Sequence, residues 1–221
     1  MSRLDRLVAA LREFYGLLPA PPADAFTLLV WDVLAARTTP RKRDTAMAKL
    51  RRIPALTPDA MWKAPQGKLE SSVKAAGAYS EQRIQALRGG AEAFRRHPDL
   101  PAALRGPLTS ARRAIGPLPP IGEGFAQRML LFAGDHGVLP MDAGTIRVGV
   151  RLGYGPAGGH RRGMARAIRR AMTAELAPTL EAYRGAATYL SHHAYATCAE
   201  REPHCAVCPL SGDCPSAPTS R

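Results

Sequence analysis

Four cysteines crowd the last 24 residues of a 221-residue chain that has no others. Cys198, Cys205, Cys208 and Cys214 are spaced C-x6-C-x2-C-x5-C. Thiolates so close together serve either as cross-links or as ligands. A reducing interior argues against disulfides. Zinc accepts four thiolates, but its sites usually pair two short Cys-x2–4-Cys knuckles, and only one is present here. A [4Fe–4S] cluster needs four thiolates at the corners of a compact cube, which one tight loop can supply. The residues alone leave zinc and the cluster both open.

Two further segments carry chemistry. In Leu118-Pro119-Pro120-Ile121-Gly122-Glu123-Gly124-Phe125-Ala126, glycines at a tight turn let backbone N–H groups approach a phosphate. The helix that follows adds a favourable dipole, although L-P-x-x-G is often only a connecting turn. In Pro140-Met141-Asp142-Ala143-Gly144-Thr145-Ile146-Arg147-Val148 the carboxylate of Asp142 stands just before an apolar periodic run. Its simplest role is a helix N-cap. A capping carboxylate still has a second oxygen.

The elements that must position these residues read as helices. Leu4, Leu7, Val8, Leu11, Phe14 and Tyr15 recur at three- and four-residue spacing. Asp24 is placed to cap the apolar run 26–34, and Thr57-Pro58 reads as cap plus first-turn proline. Helical patterns also fall near 42–52, 68–76, 80–96, 109–115, 124–136, 143–153, 162–175 and 179–196. Nothing shows sustained period-two alternation, so the expected fold class is all-α.

Charge narrows the partners. The chain carries 31 Lys+Arg against 18 Asp+Glu, a formal charge of +13, with five lysines, none after Lys74, and 26 arginines. Apolar residues make up 46%, enough for a packed core and too many for a disordered basic tail. No apolar run reaches a membrane span, and Arg3, Asp5 and Arg6 do not suit a signal peptide. Such a surface favours polyanions, nucleic acid above all. Arg41-Lys42-Arg43, Arg112-Arg113, Arg161-Arg162 and Arg169-Arg170 are phosphate-contact candidates, though each pair could be a solvated helix face.

The cysteine spacing, the hairpin and Asp142, in that order, resemble the endonuclease III family of DNA glycosylases, members of the helix-hairpin-helix superfamily. The resemblance covers most of residues 20–215. It implies a helical barrel over 23–137 with the helix-hairpin-helix near 109–136. It also implies an iron–sulfur domain from 1–22 plus 138–221, with Cys198, Cys205, Cys208 and Cys214 holding a [4Fe–4S] cluster. Asp142 is then the catalytic carboxylate facing a flipped nucleotide. Gly77-Ala78-Tyr79-Ser80 is similar to the family's minor-groove loop, and Arg37 stands where the family inserts a glutamine into the duplex. The DNA-binding set implied is Arg37, Ala78, Tyr79, Ile121, Gly122, Gly124 and Arg147.

Departures from the family refine the expectation. Gly124 occupies the position of the lysine that forms a Schiff base in bifunctional members, and glycine has no amine. Pro120 replaces the first hairpin glycine, Glu123 stands in a slot that is commonly basic, and Gly144 replaces a histidine. The implied function is a monofunctional N-glycosylase of base-excision repair, with doubtful AP-lyase activity. Its partner would be double-stranded DNA containing a damaged or mispaired base, with no membrane. It would act as a monomer in the cytoplasm, at the bacterial nucleoid. The alternative is a catalytically weakened or inactive iron–sulfur protein that binds DNA lesions or structures.

Overall fold

A computed structural model describes residues 1–53, 55–122 and 124–218. Among them there is no strand, and helices carry the chain from end to end. No helix is long and apolar enough to cross a membrane. The chain divides into two compact units, one over Pro21–His136 and one joining Met1–Ala20 to Gly137–Arg221.

The first unit is built around α2 (Ala25–Ala35), capped by Asp24, whose side chain accepts from the Thr27 N–H at 2.8 Å. Leu28, Leu29, Val30, Val33 and Leu34 are all buried, so the helix is apolar around most of its circumference. That is the pattern of a central helix rather than a surface one. Around it stand α3 (Pro40–Arg52), α4 (Pro58–Lys63), α5 (Gln66–Val73) and α6 (Ser80–Arg96). The close approach of α6 to α2 depends on Gly90, where a Cβ would lie 2.6 Å from a Leu29 methyl. Arg88 on α6 donates to the carbonyls of Met61, Trp62 and Ala64, closing the C-terminal end of α4.

Two short helices follow, α7 (Leu100–Arg105) and α8 (Leu108–Ala114), then the hairpin and α9 (Phe125–Arg128). The sequence reading has no helix at 100–105. Six residues opening on Leu100-Pro101 are too few to show a period, and Pro101 is tolerated because it falls in the first turn. The expected α-helix over 124–136 is also corrected. It is α-helical for one turn and then runs as a π-helix over Met129–Ala133, all five residues buried. Gly134 closes the segment, where a Cβ would come within 2.6 Å of the Leu104 carbonyl oxygen.

The second unit pairs the two ends of the chain. α1 (Arg3–Tyr15) starts with a capping box between Ser2 and Asp5 and buries Leu4, Leu7 and Leu11. It packs with α11 (Arg161–Glu175) and α12 (Leu180–Ala196), while α10 (Ala143–Arg151) lies against α11 and α12. Glu175 fastens this arrangement, accepting from the Leu4 N–H at 2.7 Å and the Tyr154 hydroxyl at 3.0 Å. Arg3 donates to the carbonyls of Leu152 and Asp213, both at 2.9 Å. Tyr189 on α12 donates to the Gly16 carbonyl at 2.9 Å.

Candidate functional site

The cysteine loop begins where α12 stops. Cys198 follows Thr197 at the end of that helix, and its N–H donates to the His193 carbonyl at 2.8 Å. Two single 3₁₀ turns, Cys205–Val207 and Ser211–Asp213, then fold the loop back. As a result all four cysteines line one pocket, together with Val148, Leu152, His193 and Leu210. They are free thiols. Among the described residues, no three Cys, His, Asp or Glu side chains converge as a single metal ion requires. A lone zinc would need thiolates at about 2.3 Å from one point.

The sulfur atoms sit among donors. The Leu210 N–H donates to Cys208 Sγ at 3.4 Å, and Arg151 Nη1 donates to Cys198 Sγ at 3.2 Å. His193 Nε2 lies 3.8 Å from Cys208 Sγ. Burial pushes the Cys208 thiol up; the Leu210 N–H offsets part of this, and the other three cysteines add to the rise. Burial also pushes His193 down to about 4, with His192 adding to the effect, so its ring is neutral. The Tyr15 hydroxyl lies 2.8 Å from His193 Nδ1 and 2.6 Å from Thr197 Oγ1.

In the same unit, Asp142 is half-buried at the N-terminus of α10. Its Oδ1 accepts from the Thr145 N–H at 2.8 Å, so the capping role read from the sequence is made. Gly144 has a packing reason. A Cβ there would lie 2.7 Å from the Ala194 Cβ on α12 and 3.4 Å from Asp142 Oδ1. Arg147, expected at the DNA, directs its guanidinium to the end of α12, with Nη2 donating to the Ala194 carbonyl at 2.7 Å and Nε to the Cys198 carbonyl at 3.0 Å. Sequence reasoning missed Arg151, one turn further along. It donates to the Ala199 carbonyl at 2.7 Å and the Glu200 carbonyl at 3.0 Å, bracing the entry to the cysteine loop. Only its helical spacing from Arg147 hints at this.

The hairpin lies in the other unit. Gly122 has φ 136 and Gly124 has φ 82 with ψ −15, backbone that favours glycine. Gly122 and Pro120 are exposed, Ile121 is half-buried, and Gly124 is buried as the N-cap of α9. Glu123 lies outside the described residues.

Arg37 and the 77–79 loop belong to this unit as well, and here the structure adds a relationship. Arg37 and Tyr79 are both exposed and both left-handed, with φ 52 and φ 68. The Arg37 guanidinium carbon lies 5.2 Å from the Tyr79 ring centroid, within cation–π range. Ala78 is exposed beside them. Beneath them lies Arg83, 4% exposed, on the buried stripe of α6 with Leu87, Gly90 and Phe94. Burial pushes its guanidinium down. An arginine on an otherwise apolar helix stripe was the signal that could have flagged it. Asp32 gave the same kind of signal, being the one charge in α2.

Neither the family models nor the curated proteins contain a match to this sequence. Solved structures do match it. Endonuclease III trapped as a covalent intermediate with DNA, in an estranged-adenine complex, superposes with a TM-score of 0.73 at 17% identity. The match covers 97% of this chain and 95% of that one. A thermostable thymine-DNA glycosylase gives 0.68 at 19% identity, covering 96% and 95%. A 3-methyladenine DNA glycosylase of H. pylori gives 0.59 at 14% identity, covering 88% and 94%. The chain has the fold of endonuclease III and the related helix-hairpin-helix DNA glycosylases.

Proposed function

We propose that this protein is a monofunctional DNA N-glycosylase that removes a damaged or mispaired base from duplex DNA. The observation that carries the proposal is the pairing of a kept carboxylate with a missing amine. Asp142 sits half-buried at the cap of α10, while the hairpin closes on Gly124 in a left-handed conformation that favours glycine. In base excision the nucleotide is rotated out of the stack, at a cost of a few kcal/mol that is least for damaged or mispaired bases. The C1′–N bond then breaks and its electron pair leaves on the base. Water adds to C1′ and loses a proton, leaving an abasic sugar. Asp142 stabilises the cationic sugar or orients that water, the charge logic of glycoside hydrolysis. With no amine at 124, the nucleophile that forms the Schiff base in bifunctional members is missing from that position, which makes strand scission doubtful.

The same proposal assigns a [4Fe–4S] cluster to Cys198, Cys205, Cys208 and Cys214. Four cysteines that line one pocket, none of them in a disulfide, supply the four thiolates that a [4Fe–4S] cluster takes. Two N–H···S contacts, from Leu210 and Arg151, suit anionic sulfur. When bound, the cluster supplies a rigid cross-link for the 198–214 loop. Arg147 and Arg151 hold the loop's entry from α10.

The test uses purified full-length protein on single-lesion duplexes, each split between alkali, no treatment and borohydride. Cleavage only after alkali supports the proposal. Covalent trapping by borohydride overturns the monofunctional assignment. Silence across all lesions, with tight and salt-sensitive binding, selects the DNA-binding alternative instead. Iron and sulfide analysis checks the cluster, and stoichiometric zinc in its place overturns that assignment.

A further inference from the structure

One buried imidazole links the first helix of the chain to the cysteine loop. His193 on α12 is 2% exposed, and each of its ring nitrogens has a polar neighbour. Nδ1 lies 2.8 Å from the Tyr15 hydroxyl at the end of α1, and Nε2 lies 3.8 Å from Cys208 Sγ. The Tyr15 hydroxyl also lies 2.6 Å from Thr197 Oγ1, one residue before Cys198. A neutral imidazole carries a single N–H, so with every contact made as a hydrogen bond the chain of donors runs in one of two orders. In the first, Thr197 donates to Tyr15, Tyr15 donates to Nδ1, and Nε2 donates to Cys208 Sγ. In the second each donor reverses, so Nδ1 donates to Tyr15, Tyr15 donates to Thr197, and Nε2 turns a lone pair toward the sulfur. A thiol tolerates either order, because it has a proton of its own to donate. A thiolate has none, and a lone pair set against anionic sulfur is repulsive. Only the first order suits Cys208 as a ligand.

We infer, resting on the cluster assignment above, that Tyr15 and His193 form a hydrogen-bond relay that aims an N–H at the Cys208 thiolate and so raises the reduction potential of the cluster held there. The Leu210 N–H reaches the same sulfur at 3.4 Å, so Cys208 gathers two donors. Donors on ligand sulfur favour the more negative, reduced state of an iron–sulfur cluster, and the potential rises with them. His193 supplies the N–H. Tyr15 is a positioning residue that acts through it, because the group bonded to one ring nitrogen fixes which nitrogen carries the proton. A phenylalanine at 15 would keep the ring that stands edge-on to His192, with 4.7 Å between centroids, and remove only the hydroxyl.

The experiment reads the one-electron midpoint potential of the full-length, cluster-loaded protein by protein-film voltammetry, with the electrode supplying the electron. Tyr15→Phe and His193→Leu should each lower the potential, by about tenfold in the reduction equilibrium or roughly 59 mV. His193→Gln, whose amide keeps an N–H and has no tautomer, should stay close to the wild type. Adding Tyr15→Phe to His193→Gln should then change nothing further. Iron and sulfide are measured on every sample, so that lost loading is not read as a shifted potential. Full loading with the wild-type potential in Tyr15→Phe and His193→Leu overturns the inference and spares the cluster reading. A further drop on adding Tyr15→Phe to His193→Gln overturns the relay, because Tyr15 would then act without His193. Stoichiometric zinc without sulfide in the wild type overturns the cluster reading and the inference together. A second measurement needs no variant, and it decides the matter if a variant loses its iron or the film gives no wave. In loaded wild type carrying isotope-labelled histidine, nuclear magnetic resonance should show His193 protonated at Nε2. Protonation at Nδ1 alone overturns the relay.

Discussion

Arg128 Nε donates to both carboxylate oxygens of Asp32, at 2.7 and 3.0 Å, with the Asp32 side chain 1% and the Arg128 side chain 16% exposed. Asp32 stands on α2, five residues before Arg37, and Arg128 ends the single α-turn that follows the hairpin. The ion pair therefore ties the hairpin's second helix to the helix leading into the Arg37 loop. Removing one partner of such a pair leaves a buried charge unmatched. Asp32→Asn or Arg128→Met is expected to cost about 3–5 kcal/mol of stability in urea unfolding. Asp32→Leu combined with Arg128→Met should recover most of that. If the single variants unfold at the wild-type midpoint, the pair contributes nothing.

Asp142 separates structure from chemistry by choice of substitution. Asn keeps an oxygen to accept from the Thr145 N–H, so Asp142→Asn should leave the melting temperature nearly unchanged while abolishing base release. Asp142→Ala should lose the cap as well, at about 1 kcal/mol. Melting curves beside single-turnover assays check both. Unchanged turnover in the Asn variant removes Asp142 from the mechanism.

Gly124 predicts a gain of activity. Gly124→Lys returns an amine to the end of the hairpin, at a cost of about 1–2 kcal/mol for a Cβ at φ 82. Borohydride should trap the lysine variant on lesion duplex and not the wild type. An untrapped variant that still excises bases would show that position 124 does not face the sugar.

Gly144 predicts a loss. Gly144→His drives a Cβ to within 2.7 Å of the Ala194 Cβ. The expected destabilisation is roughly 1–3 kcal/mol by overpacking. Ala194→Gly in the same chain should relieve part of it. Thermal or urea melts of the single and double variants decide it.

Tyr154 predicts an alkaline limit. Burial raises its hydroxyl, and the hydrogen bond to Glu175 and that carboxylate's charge raise it further. An unfolded tyrosine ionises near pH 10, roughly. The folded form therefore stays protonated where the unfolded form does not. Its stabilising contribution is complete below that pH and falls as pH rises toward the folded value. Tyr154→Phe should make the alkaline decline in unfolding free energy shallower, with no change in pH dependence between 6 and 9, roughly. An unaltered alkaline slope would contradict this.

Much of this was legible in the residues because it is local. Cap residues at 24, 57 and 142 and three- and four-residue apolar spacing give the helices, since capping and amphipathicity act within a few residues. The π-helical stretch 129–133 and the short α7 were not legible. One depends on how buried residues pack, and the other is too brief to show a period.

The sequence by itself determined the cysteine spacing, the retained Asp142, the glycine at 124 and the all-helical class. These are matters of residue type and short-range order. Only the tertiary structure decided what long-range partners do with the charges. It buried Asp32 against Arg128, committed Arg147 to the end of α12, and set Arg83 beneath Arg37 and Tyr79. Arginines look alike along a chain. Whether one meets solvent, a carboxylate or a carbonyl depends on groups tens of residues away, and only the folded chain brings those groups together.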